Sequence, residues 1–139
     1  MLLHTPTMAS QQNWDALFKD GNYVQKYTIG EKITRQYAQA LIEQSRLVSD
    51  SRANAGQLVV LDNACGTGII SSTLNASLEN EVKRNWRLTC GDISEGMLEH
   101  TRRRMELEDW PNAEIKTVDV RDNGLPSAHF THAFTAFGT

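Results

Sequence analysis

"VVLDNACGTGII", residues 59–70, decides the fold. A β-branched apolar run ends in Asp62, breaks into Ala64, Gly66 and Gly68 at alternate positions, and turns apolar again. Leu58–Leu61 is apolar throughout, as in a strand of a parallel sheet covered on both faces. The small residues let the backbone turn sharply and let another group approach the main chain. Gly68 to about Leu78 reads as a helix whose free N–H groups and positive dipole end face that turn. Taken alone, the stretch is either a cradle for a nucleotide-type ligand or a tight strand–helix turn with no ligand.

Alternation continues downstream. "WRLTCGD", 86–92, reads as a second strand. Ser94 opens a helix in which Met97, Leu98, Thr101 and Met105 share a face, with Pro111 as its stop. "EIKTVDV", 114–120, and "HFTHAFTAF", 129–137, read as third and fourth strands. Strand–helix–strand–helix–strand predicts a doubly wound α/β sheet over 57–139. Residues 1–56 form a separate N-terminal part, of which 1–12 read as a tail. Asn13 is placed to cap a short helix, "WDALFKD", closed by Gly21. Thr28 and Glu31 have capping-box spacing. Ile33, Tyr37, Leu41 and Val48 then predict a helix over 29–49, and "SDSRANAG", 49–56, a polar loop.

In such sheets ligands bind beyond the carboxyl ends of the strands. The first three strands end in or near Asp62, Asp92 and Asp119. Each alone could be a cap or a solvated turn residue. Together on one rim they favour a nucleoside, because a carboxylate there accepts hydrogen bonds from both ribose hydroxyls.

The chain has 139 residues, the size of one domain, and a net charge of −3, which lacks the basic footprint of a nucleic-acid binder. "MLLHTPTMAS" has no secretory pattern, and no run approaches the roughly 20 apolar residues of a membrane helix. Cys65 and Cys90 form no CxxC pair, so a reducing, cytoplasmic setting is expected. His4, His100, His129 and His132 lack metal-ligand spacing, and no metal is expected; His129 and His132 read as polar residues at a strand start.

With these motifs in hand, the segment resembles the class I S-adenosylmethionine-dependent methyltransferases. Within them it is similar to the small-molecule enzymes of the ubiquinone/menaquinone-biosynthesis type. "VLDNACGTG" matches the glycine-rich first motif, and "LTCGDISEGMLEHTRRR" the second-strand motif. "VDVRDNGLPSAHFTHAFTAFGT" matches the adenine-side motif and fourth strand. The resemblance covers about 57–139, and the helix at 29–49 looks like the segment preceding the family's sheet. It implies a Rossmann-like sheet in the order 3-2-1-4, and S-adenosyl-L-methionine as cofactor. Asp62 and the backbone of Ala64, Cys65, Gly66 and Gly68 would hold the methionine end. Asp92 would bind the ribose diol, with Ile93 against the adenine. Asp119 would take the adenine amino group, with Val120 beside it. Met97 would border the pocket or serve as an ordinary core residue, and Tyr27 would belong to a lid or to packing. Ala64 stands where the family often has Gly, and Phe130-Thr131 where it often has Phe-Asp.

The implied chemistry is methyl transfer to a small-molecule acceptor, with no catalytic base identifiable; the histidines of the fourth strand fall at its wrong end. Family sheets have about seven strands, so the sequence reads as a fold cut after the fourth. Its open edge, bearing Phe134 and Phe137, invites a partner chain or a second copy. From strand 3 back to strand 4 is a diagonal of about 22 Å. Residues 121–129 reach at most about 30 Å, so that link must run extended and without a helix. Arg102–Arg104 suggest either an acidic partner or a solvated helix face; one or two of the three must face solvent in any case, and the solvated face is the reading taken. Two alternatives stay open: a non-catalytic half-domain that binds the cofactor or a partner, and a nicotinamide oxidoreductase. Against the latter, Gly66-x-Gly68-x-x-Ser71 departs from G-x-G-x-x-G/A at its last position.

Overall fold

The computed structural model describes residues 21–53, 56–119, 121–122 and 124–135. Two helices come first, α1 (Gly21–Ser45) and α2 (Leu47–Ala53). Then follow β1 (Val59–Asn63), α3 (Ile69–Ser77), α4 (Asn80–Asn85), β2 (Arg87–Asp92), α5 (Glu95–Leu107), β3 (Ala113–Thr117) and β4 (His132–Thr135). The four strands make one parallel sheet in the order β3-β2-β1-β4, as predicted. The link from β3 to β4 contains no helix among its described residues.

Register sets the core. Val60 pairs with Leu88, and Asp62 with both Cys90 and Phe134. These residues therefore share a face of the sheet, and Val60, Leu88, Cys90 and Phe134 are all buried there. Leu74 and Ile70 of α3 and Leu98 of α5 complete the centre with Trp86, whose Nε1–H donates to the Pro111 carbonyl at 2.6 Å. Each such side chain contributes about 1.5–3 kcal/mol on leaving water. Ala38, Ile42 and Leu47 anchor the N-terminal helices to the same cluster, with α1 packed against α3. No described helix is long and apolar enough to cross a membrane.

Several boundaries differ from expectation. The helix predicted over 29–49 is two helices, broken where Arg46 takes φ 58°. There Ser45 Oγ donates to the Ile42 carbonyl at 2.6 Å and accepts from Leu47 N–H at 3.2 Å, so a side chain takes over a backbone bond at the break. The first described helix already includes Gly21, so Thr28 lies inside it and not at a helix start. The expected polar loop 49–56 is helical to Ala53. The short α4 has no apolar periodicity to announce it. Pro111 is not the stop of α5, which ends at Leu107; Asp109 and Asn112 then turn the chain at φ 52° and 54°. Phe134 is buried rather than displayed on the β4 edge, because an open edge exposes backbone while the side chain still points into the core face. Phe137, the 13–20 segment and Val120 lie outside the described residues.

Candidate functional site

The turn after β1 is held in a strained shape. Ala64, Gly66 and Gly68 all take positive φ, 51°, 57° and 81°. Left-handed backbone costs an alanine about 1–2 kcal/mol and a glycine almost nothing. Gly68 has a second reason to be glycine: an added Cβ would lie 3.0 Å from both Thr101 Cγ2 and Trp110 Cη2. Four hydrogen bonds fix the loop. Cys65 N–H donates to the Gly91 carbonyl at 2.9 Å, and Gly68 N–H to the Cys65 carbonyl at 2.9 Å. Thr101 Oγ1 donates to the Gly66 carbonyl at 2.7 Å, and Gly66 N–H donates to Asp92 Oδ2 at 2.8 Å.

The three aspartates stand at different depths. Asp62 pairs with Cys90, so Asp92 lies two residues further out. Asp92 pairs with Thr117, so Asp119 lies two residues further again. Each step is about 7 Å along the strand direction. The carboxylates form a staircase from β1 to β3.

Asp62, the lowest step, is 2 % exposed. Its Oδ2 accepts from Ser71 Oγ at 2.6 Å and from Ser71 N–H at 3.2 Å. It thereby caps α3, whose N-cap Gly68 has no side chain to do so. Burial pushes its carboxyl from 3.8 up to about 7, against the Ser71 bonds, and the Asp92 charge adds to the rise. Ser71 Oγ also lies 3.1 Å from Cys90 Sγ. Cys65 is buried, and contact with Cys90 together with burial pushes its thiol well up, which disfavours the thiolate.

Asp92, the middle step, accepts from Gly66 N–H through Oδ2 and from Ser94 N–H through Oδ1 at 2.9 Å. Each oxygen keeps a second lone pair. Ile93 beside it is 41 % exposed, a large apolar side chain left at the rim. Ser94 Oγ caps α5 by accepting from Met97 N–H at 3.3 Å, and Met97 is buried. At the top step, Arg121 grips the Asp119 carboxylate through Nε at 3.0 Å and Nη2 at 2.7 Å, and its N–H adds a bond at 3.0 Å. This pairing holds the carboxyl down at about 2. The structure thus gathers Ala64, Cys65, Gly66, Gly68, Asp92 and Ile93 at one rim, with Asp62 beneath and Asp119 beyond. The Tyr27 side chain and Val120 lie outside the described residues. Among the described residues no cluster of three metal-ligating side chains occurs.

Sequence reading missed a buried ionic group against the loop. Glu31 of α1 is 5 % exposed. It accepts from Thr67 Oγ1 in the glycine loop, and from Arg104 Nη2 at 2.6 Å and 2.8 Å. Arg102 and Arg103 face solvent as predicted and pair with Glu99, whereas Arg104 turns inward.

A family model described as a methyltransferase domain matches residues 60–138. Methyltransferase tpcH of Aspergillus fumigatus is 47 % identical over 123 residues, 88 % of this chain and 43 % of that protein. Acetylaranotin bis-thiomethyltransferase of Aspergillus terreus is 44 % identical over 130 residues, 94 % of this chain and 46 % of that protein. The chain therefore spans less than half the length of these curated relatives. Among solved structures, magnesium protoporphyrin IX methyltransferase of Synechocystis with bound S-adenosylmethionine superposes with TM-score 0.54 at 22 % identity, over 92 % of this chain and 56 % of that one. An S-adenosylmethionine-dependent methyltransferase of Aquifex aeolicus gives 0.51 at 19 % identity, over 74 % and 56 %. The glycine-rich turn and all of the 3-2-1-4 sheet except Val59 lie within the segment matched by the family model, and the chain belongs to the methyltransferase-domain family.

Proposed function

We propose that this chain binds S-adenosyl-L-methionine on the aspartate staircase and serves methyl transfer to a small-molecule acceptor. One observation carries the reading: Asp92 is locked to the Gly66 amide with lone pairs to spare and exposed Ile93 beside it. A ribose diol needs such a carboxylate, and an adenine such an apolar neighbour. The staircase also suits a long ligand with an amino-acid end, a sugar and a base. The backbone of Ala64, Cys65, Gly66 and Gly68, stiffened from below by Asp62, would take the methionine end. Asp92 would take the ribose, and Ile93, Asp119 and Val120 the adenine, with Met97 backing the pocket. Arg121 must then share or release Asp119.

When bound, the cofactor supplies an electrophilic methyl group on a sulfonium whose charge disappears on transfer. The residues of this chain contribute binding and orientation, and proximity accounts for much of such a rate. The acceptor class rests on the relative named for bis-thiomethylation of acetylaranotin. Residues 57–139 would form the cofactor-binding part and 1–56 the lid-bearing part. The β4 edge would be covered by further strands, a partner chain or a second copy, in a reducing, cytoplasmic setting that suits two free thiols.

Calorimetric titration with S-adenosylmethionine tests the proposal. Saturable binding is expected, weakened at least about 10-fold by Asp92→Ala, the loss of one charged acceptor. A folded chain that does not bind refutes it.

A further inference from the structure

We infer that Glu31 is a positioning residue: it latches the N-terminal helix α1 to the apex of the glycine loop and so holds that loop ready for its ligand. The inference rests on the cofactor reading above for its effect on binding, but not for its effect on the loop. Thr67 sits between Gly66, whose amide is bonded to Asp92, and Gly68, the left-handed N-cap of α3. Its hydroxyl donates to Glu31 Oε1. Thr67 is itself 3 % exposed, so this bond lies out of water. Behind it Arg104 Nη2 bridges both Glu31 oxygens, while Arg104 Nε lies 3.9 Å from Glu108 Oε2. Glu108 in turn accepts from Ser72 Oγ at 2.7 Å, one turn into α3. The latch therefore joins α1, the loop, α3 and α5.

Two features separate it from an ordinary ion pair. First, Arg104 Nη1 is buried without a partner among the described residues, so the guanidinium depends on Glu31 for compensation. Second, the loop it holds contains three residues at positive φ. A loop in that conformation relaxes when its ties are cut, and any relaxed fraction subtracts from apparent affinity. Gly66 and Gly68 confer the conformation, and Glu31 keeps it populated.

The test uses Glu31→Gln, which keeps the shape and one acceptor but removes the charge, and Thr67→Val, which removes only the hydroxyl, with Thr67→Ser as rescue. Hydrogen exchange is followed in the ligand-free chain, and S-adenosylhomocysteine titration runs alongside, with Asp92→Ala as control. We expect amides of 66–71 to exchange about 10-fold faster in Glu31→Gln and Thr67→Val than in the parent, with β1 and β2 unchanged and Thr67→Ser restored. Ligand affinity should fall only by the factor by which the closed-loop fraction itself falls, and the double variant should be no worse than the poorer single. Loop exchange that stays at the parent rate in folded variants overturns the latch, whatever the ligand result. Loss of binding in the parent as well, with the exchange effect intact, overturns the cofactor reading and leaves the latch standing.

Discussion

Asp62→Asn should abolish the pH dependence of stability that this carboxylate imposes. Asp62 is buried, and its carboxyl is raised from 3.8 to about 7 because desolvation outweighs the two Ser71 bonds. The folded chain therefore holds a proton that the unfolded chain has released once the pH passes 3.8. Stability then falls as pH rises between 3.8 and 7, since the native state binds more protons there, and levels off above. At about 1.4 kcal/mol per pH unit the loss is on the order of 4 kcal/mol, a large share of the roughly 5–15 kcal/mol that holds a domain together. Asparagine has no proton to hold. It can still accept from Ser71, so the cap on α3 survives.

Urea unfolding of parent and variant from pH 4 to pH 8 isolates the effect, because titration of groups not coupled to Asp62 cancels in the difference. The parent-minus-variant stability should drop by a few kcal/mol across that window, with the variant the more stable at pH 8. A flat difference would mean that Asp62 ionises at its ordinary pKa in the folded chain. That would refute the dominance of desolvation over the two Ser71 bonds.

Three further tests probe the same rim. Gly91→Ala would bring a Cβ to 2.7 Å from Val118 Cγ2; overpacking of about 1–3 kcal/mol is expected, partly relieved by Val118→Ala, so the double variant should beat the sum of the singles in a denaturation cycle. Ala64→Gly relieves a left-handed alanine at φ 51° and should stabilise by up to about 1 kcal/mol after glycine's own entropic cost, whereas Gly68→Ala, at φ 81° against Thr101 and Trp110, should destabilise by more; thermal melts decide both. Arg121→Gln removes the grip that holds Asp119 at about 2, so its carboxyl should titrate nearer 3.8 by NMR, and any stability this pairing gives above 3.8 and loses toward pH 2 should disappear.

Much of the sheet was legible because its signals are local. β1, β2 and the helices after them announce themselves in apolar runs ending in an acid or a glycine turn, and strand order followed from the resemblance. The depth of the aspartates was not legible. All three end strands, and reading them as one rim treats their levels as equal. Only the pairing of Asp62 with Cys90 and of Asp92 with Thr117 shows the stagger. Register is a relation between strands, and neither strand states it alone.

Glu31 shows the same limit for side chains. Its spacing from Thr28 fits a capping box, and local spacing was all the sequence offered. The partners that decide its role are Thr67, 36 residues on, and Arg104, 73 residues on. In Arg102–Arg104, three identical side chains read alike, yet of the three only Arg104 lies on the face of α5 that meets Glu31 of α1. A buried carboxylate–guanidinium pair is costly to assemble and more costly to leave half-made. Such a pair beside a loop of left-handed residues joins two otherwise separate facts: the glycines permit the conformation, and the N-terminal helix maintains it. On the proposed latch, α1 would belong to the site even if none of its described residues touches a ligand, and removing α1 should weaken the rim more than burial area alone would indicate.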